Sequence, residues 1–443
     1  MRLGTTITAI VSAFCLSVAA GSQEESKERP ADSIRRWVGD LDSDDFIVRQ
    51  AATWKLIDAG SKSITPVVEA ATRENLEVRS RASYILLKIA DAGDRQTEQA
   101  VTTALERVAN SADAAAGRRA DRLLRQWTET RRQDAIVKIR HLGATVSTLP
   151  ADTIMLKIGS KWKGGEAGLA HLRNLDNLRR LSLEHSSLGD AALAQLKGLT
   201  QVNTLYLGES EIRGSGFVHL KGLSGLTYLS LKDLKINDNA LEPIGEMTQL
   251  THLGLDGTSV TDAALPHLKH LAKLEVLWLN RSNVTDGGLA YLKAFKELRR
   301  LDLAECRLDG TGLMHLKELP KLEHVSLKGV KFSEQGLELL AGVTQLESLG
   351  LDDTNVSDSA LVHLSELANL KVLWLSDTKV SDVGLRHVTR LANLRTLHLD
   401  GANVTDSGID ELRKALPNCR IHWDAPDTNR PTDPPPPEPP DDR

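Results

Sequence analysis

Leucine-type residues recur at positions 178, 202, 226, 250, 274, 298, 322, 346, 370 and 394, a fixed step of 24, and each opens the same run of apolar and polar positions. The run reads L-x-x-L-x-L-x-x-x-x-V-T-D-x-G-L-x-x-L-x-x-L and is nearly complete in Leu274, Leu277, Leu279, Val284, Thr285, Asp286, Gly288, Leu289 and Leu292. Leucines at its first, fourth and sixth positions predict a short strand with alternate side chains turned inward. Such strands stack side by side into a parallel sheet buried on that side. The next apolar position, as at Val260, Val284 or Val380, ends the strand side of the coil. Thr285-Asp286 or Ser357-Asp358 then predicts a helix start, the hydroxyl capping a free N–H and the carboxylate facing the positive end of the helix dipole. A period of this length means stacked units rather than one globular core, so function is expected on the exposed face of a solenoid. That expectation favours binding over catalysis.

Ahead of the repeats the period changes. Phe46, Ala51, Ala52, Leu56 and Ile57 fall at helical spacing behind the capping groups of Ser43, Asp44 and Asp45, and Gly60 marks the stop. A second helix is predicted through Val78, Ala82, Ile85, Leu86, Leu87 and Ile89, with a shorter one starting at Pro66 between them. From Gly117 to Gly143 the chain turns basic, and the apolar side of this stretch, Leu123, Leu124, Trp127, Ile136 and Ile139, is expected to cover the open end of the solenoid. The expected organisation is a signal at 1–20, a linker at 21–30, a helical module at 31–127, an N-terminal cap with an irregular first repeat at 128–177, ten repeats with a C-terminal cap at 178–424, and a Pro-rich tail at 425–443.

Composition narrows the class. With 443 residues, 41% hydrophobic and 26% charged, the chain is long enough for more than one folded unit. Aromatics are only 4%, so Leu, Ile and Val must fill the core. A net charge of −5 and a pI near 6.3 give no chain-wide drive toward nucleic acid or anionic membrane. Arg2, the apolar stretch from Ile7 to Ala20 and the small residues Val18-Ala19-Ala20 read as a secretory signal, too short for a comfortable membrane span. An uncleaved anchor is the alternative. Once that signal is removed, Cys306 and Cys419 remain, about five strands or ~20 Å apart, beyond reach of a disulfide. Both read as buried, inert thiols.

Candidate chemistry is sparse. The row of aspartates after Thr or Ser invites comparison with a calcium array, but helix capping explains the hydroxyl before each Asp and the small residue after it. His219, His267, His315 and His363 recur on alternate helices and do not form a ligand cluster by spacing. No phosphate loop, zinc spacing or nucleophile elbow stands in a supporting context, so neither catalytic residue, metal nor cofactor is expected. Asn280, Asn283, Asn355 and Asn403 head Asn-x-Ser/Thr triplets at or just past strand ends.

The repeated run resembles leucine-rich repeat proteins over about Asp152 to Trp423, and the V-T-D-x-G-L variant is similar to the 24-residue repeats of planctomycete-type secreted proteins and to the ribonuclease-inhibitor-like repeats of F-box adaptors. The stretch Asp42 to Ala51, followed by Glu77 to Ala82, resembles a short HEAT-type array. This resemblance implies an α/β solenoid, a horseshoe with its parallel sheet on the concave face, preceded by a small all-α module. It also implies a recognition scaffold with no shared active site. The N-terminal helices of ubiquitin adaptors are not evident, and a signal argues against that pathway.

A second period of 96 residues overlies the first: Val276-Leu277-Trp278-Leu279 matches Val372-Leu373-Trp374-Leu375, and Gly254-Leu255-Asp256 matches Gly350-Leu351-Asp352. Duplication of a four-repeat block predicts two similar patches about 19 Å apart along the sheet. The candidate partner-binding residues are those strand positions that lie between leucines and face the concave side: Tyr206, Tyr228, Trp278, Trp374, His398, Asp256, Asp352 and Asp400, with His252 and His324 alongside. The strand ends on this face are acidic, with Glu184, Glu209, Asp233, Glu305, Asp353 and Asp377 adding to them. The expected partner is a protein or peptide with basic and apolar groups, and carbohydrate is the alternative. An exported, extracytoplasmic, non-enzymatic scaffold is the expected class. Its rival is an enzyme with a site in the helical module or a ubiquitin-ligase-like effector.

Overall fold

The computed structural model describes residues 29–93 and 95–424, so the expected signal, most of the linker and the Pro-rich tail lie outside the described residues. The chain divides into two compact units, Met1–Asp134 and Ala135–Arg443.

The first unit is helical: α1 (Pro30–Asp40), α2 (Phe46–Asp58), α3 (Ile64–Ala71), α4 (Leu76–Ala92), α5 (Arg95–Ala109) and the first part of α6 (Ala114–His141). Asp45 caps α2 by accepting from the Ile47 N–H, and Asn75 caps α4 by accepting from Glu77 and Val78. These caps satisfy N–H groups that have no partner inside the helix. Pro66 is the third residue of α3 and not its first, because the turn Gly60–Ser63 feeds straight into that helix. Proline is tolerated there since first-turn N–H groups are unpaired anyway. Leu41, Leu56, Val67, Ala82 and Ile85 form the core of this unit.

Helix α6 corrects one expectation. Trp127 belongs to the core of the helical unit, and Leu123 and Leu124 pack against it. Only the last turns, through Ala135, Ile136 and Ile139, join the core of the second unit.

The second unit holds a 13-stranded sheet in sequence order, β1 to β13. Strand β1 (Thr145–Leu149) runs antiparallel to β2 (Thr153–Lys157), and from β2 onward every pairing is parallel. The strands that follow include β3 (Leu178–Ser182), β4 (Thr204–Tyr206), β5 (Tyr228–Ser230), β6 (His252–Gly254), β7 (Val276–Trp278) and β8 (Arg300–Asp302). Then come β9 (His324–Ser326), β10 (Ser348–Gly350), β11 (Val372–Trp374), β12 (Thr396–His398) and β13 (Arg420–His422). Leu229, Leu253, Leu277 and Leu301 stand opposite one another in the register and are fully buried, so the step of 24 is one strand per coil. The return arcs are mostly short 3-10 turns such as Asp190–Leu196 and Asp262–Leu268, with α-helix at Asp358–Leu364, Asp382–Val388 and Asp406–Ala415. The 3-10 form rises ~2.0 Å per residue against ~1.5 Å in an α-helix, so it crosses the coil with fewer residues.

The Thr-Asp pair does more than start these arcs. Asp262 accepts from both the N–H and the hydroxyl of Thr285 in the next coil, and Asp358 does the same for Ser381. Thr261, Ser381 and Thr405 also receive a local N–H at their hydroxyls, as expected of caps. Thr285 does not, which corrects its reading as a helix cap: its hydroxyl serves Asp262. A further regularity lies just past each strand, where the residue at 185, 209, 233, 257, 281, 305, 329, 353, 377 and 401 has φ between 53° and 73°. Gly257, Gly329 and Gly401 suit that left-handed turn, whereas Glu209, Arg281 and Glu305 adopt it at a steric cost of about 1 kcal/mol.

Candidate functional site

Because Leu205, Leu253, Leu277 and Leu373 point into the core, the residues on either side of them face the opposite, concave surface. The register builds two rows there. One runs Ser182, Tyr206, Ser230, Gly254, Trp278, Asp302, Ser326, Gly350, Trp374, His398 and His422. The other includes Tyr228, His252, Val276, Arg300 and His324.

Three of the predicted rings meet in a first cluster. Tyr206 and Tyr228 have centroids 5.1 Å apart, Tyr228 and Trp278 are 5.8 Å apart, and His252 lies 5.6 Å from Tyr228 and 6.1 Å from Trp278. Tyr228 and Trp278 touch although β6 separates their strands. Gly254 on β6 lies beneath the indole: Cε3 of Trp278 is 3.7 Å from the point a Cβ on Gly254 would occupy, an ordinary contact distance. The indole therefore leans over a strand that offers no side chain beneath it. Burial within this cluster, reinforced by Tyr206, pushes the Tyr228 hydroxyl up to about 12, so it stays protonated at physiological pH.

Trp374 leans the other way. It stacks on His398 at 5.8 Å and 12°, and His398 stacks on His422 at 4.3 Å and 4°. The two duplicated tryptophans thus occupy equivalent strands in different clusters. Partial burial, followed by the neighbouring His422, lowers the His398 pKa, while Asp400 and Asp352 oppose that shift. Between the clusters Arg300 grips Asp302 through Nε and Nη2, at 3.1 and 2.9 Å, on a floor of short side chains at Ser326, Ser348 and Gly350.

The acidic residues are more engaged than their pattern implied. Asp256 accepts from the backbone N–H and the side-chain amide of Asn280, at 3.2 and 2.6 Å, and its burial raises the carboxyl pKa against those hydrogen bonds. Asp352 accepts from the Ser376 N–H at 3.0 Å. On the left-handed turns, Glu209 meets His185 at 3.0 Å, Asp233 meets Arg281 at 3.2 Å and Asp353 meets Lys331 at 3.6 Å. Asp256 and Asp352 therefore tie one coil to the next as well as lining the rim.

His422 and Gly254 were not singled out from sequence. His422 follows His398 by 24 residues, but Asn418 stands where the strand leucine would announce that coil. Cys306 is buried, with its thiol donating to the Leu279 carbonyl at 3.1 Å and its pKa raised by burial, and Cys419 is half-buried. Among the described residues no group of three or more His, Cys, Asp or Glu side chains is placed to hold a metal ion. The described residues include no helix long and apolar enough to cross a membrane.

No family model matches the chain, and no curated relative matches it. Solved structures that it is similar to include an internalin from Listeria monocytogenes, 20% identical, covering 63% of this chain and 87% of that one with a TM-score of 0.41. A leucine-rich repeat protein from Leptospira interrogans is 17% identical over 57% of this chain and 80% of that one, TM-score 0.30. A chain of the mouse RP105/MD-1 complex is 20% identical over 56% of this chain and 43% of that one, TM-score 0.44. The 24-residue coils, the in-register parallel strands and the buried leucine at the centre of most strands give this chain the fold of leucine-rich repeat proteins.

Proposed function

We propose that the chain is an exported, non-enzymatic scaffold that binds a protein or peptide partner on its concave face. The observation that carries this reading is the pair of half-exposed aromatic clusters, Tyr206, Tyr228, His252 and Trp278 in one and Trp374, His398 and His422 in the other. Large rings held rigid by their neighbours lose little freedom on binding and make effective anchors. The carboxylates at the strand ends, Asp352, Asp377 and Asp400 among them, favour basic groups in the partner.

Affinity capture from the envelope fraction of the source organism tests the reading. The wild-type chain should retain a partner that the Trp278→Ala, Trp374→Ala double variant releases, with both chains folded by circular dichroism at the capture temperature. Equal retention by the two would overturn it.

A further inference from the structure

Three helices of the first unit leave a space between them. Leu86 and Leu87 of α4, Val101 and Leu105 of α5, and Leu123 and Trp127 of α6 line a pocket of about 110 Å³. Of these apolar side chains, Leu86, Val101, Leu105 and Trp127 are buried. Close-packed interiors leave few voids larger than a water molecule. Water finds little to bond with in an apolar one, whereas cavities of about 150 Å³ lined by Leu, Ile and Phe take up benzene.

Trp127 carries a second irregularity. Its indole N–H is buried and, among the described residues, has no hydrogen-bond partner. A buried donor ordinarily finds an acceptor, so the residue that lines the pocket also lacks an oxygen beside it. Ser83, Gln126 and Thr130 complete the lining. The hydroxyls of Ser83 and Thr130 donate to the Arg79 and Gln126 carbonyls, at 2.7 and 2.9 Å, and each oxygen keeps lone pairs for a further hydrogen bond. None of the described residues that line the pocket is charged. Arg131, 4.9 Å from the centre of the Trp127 ring, is held by Glu98 at 2.6 Å.

We infer that this pocket binds a small neutral molecule, apolar over most of its surface and carrying one hydroxyl group, of about the size of phenol. A hydroxyl both donates and accepts. That matches a lining with spare lone pairs at Ser83 and Thr130 and an unpaired donor at Trp127. A carboxylate or an ammonium group would have to shed its water with no opposite charge to meet it.

The test titrates phenol, benzene and benzoate into the full chain by calorimetry, and follows the indole N–H signals by NMR. The chain has seven tryptophans, and the Trp127 signal is the one missing from Trp127→Phe. Phenol should shift that signal saturably at millimolar concentration, and benzoate should bind at least roughly tenfold more weakly because its charge goes unpaired. Leu123→Trp and Leu87→Trp enlarge half-buried walls and should abolish phenol binding with unchanged circular dichroism. Trp127→Phe should weaken phenol by roughly tenfold, the worth of one hydrogen bond, and benzene much less. No saturable shift of the Trp127 signal, or undiminished phenol binding in both wall variants, overturns the proposal. Equal weakening of phenol and benzene by Trp127→Phe removes the role assigned to the indole N–H and overturns it as well.

Discussion

Thr285 donates both its backbone N–H and its hydroxyl to the carboxylate of Asp262, 23 residues earlier, at 2.7 and 2.6 Å. The same paired bonds join Thr261 to Asp238, Ser381 to Asp358 and Thr405 to Asp382. In these four coils the aspartate is therefore a tie to the next. The glycine of the run keeps the tie open, since a Cβ on Gly288 would lie 2.4 Å from Oδ1 of Asp262.

Loss of that tie is measurable. Asp262→Ala is expected to cost about 2 kcal/mol, the range for hydrogen bonds to a charged group. Gly288→Ala should cost a similar amount by displacing the carboxylate. The double variant should then be less destabilised than the sum, because removal of the carboxylate makes room for the new methyl. Urea unfolding of the four proteins checks this, and strict additivity would show that the two residues do not share the space.

Leu277 is fully buried and stands opposite Leu253 and Leu301 in the sheet. Leu277→Asp places an unpaired charge in the continuous leucine layer and should cost more than about 4 kcal/mol. Thermal unfolding is the readout. An unchanged melting curve would contradict the strand register.

The strands were legible because a leucine every 24 residues is a local mark that the stacked sheet repeats without change. The hairpin of β1 and β2 bears no such mark, so residues 145–157 read only as an irregular start. In sequence Thr285 resembles a helix cap because its neighbour Asp286 is on display, whereas its partner, Asp262, lies a coil away. The left-handed turns were invisible for a different reason: Glu209, Arg281 and Glu305 share that backbone with Gly257 and Gly329, so no residue type announces it. On the concave face, alternation placed Tyr206, Trp278 and Trp374 in one row. The direction in which each indole leans is not legible, since it rests on cross-strand neighbours, Tyr228 and His252 for Trp278 and His398 for Trp374.

The stacked histidines predict a pH dependence. Partial burial and His422 depress the His398 pKa below its ordinary value. A depressed histidine binds fewer protons folded than unfolded, so its contribution is fully present above the unfolded pKa of about 6.5 and is lost as pH falls through the folded value. Melting temperature should therefore drop less steeply below about pH 6.5 in His398→Gln than in the wild type. Parallel slopes in the two proteins would show that the stack does not couple protonation to folding.

Trp278 and Trp374 supply the test of function. Each Trp→Ala change should weaken binding of the captured partner by about 2 kcal/mol or more, the loss typical of an aromatic anchor. Stability should respond less, although Trp278 shares its cluster with Tyr228 and His252 and should show the larger shift in melting temperature. Charge reversal separates steering from folding. Glu305→Lys and Asp377→Lys, at exposed turn positions, should mainly slow association and flatten its salt dependence. Asp256→Lys should also destabilise the fold, because it removes the acceptor that holds Asn280. Titration of the partner against these variants decides the matter: wild-type affinity in both tryptophan variants would exclude the concave face and leave the helical unit as the place to look.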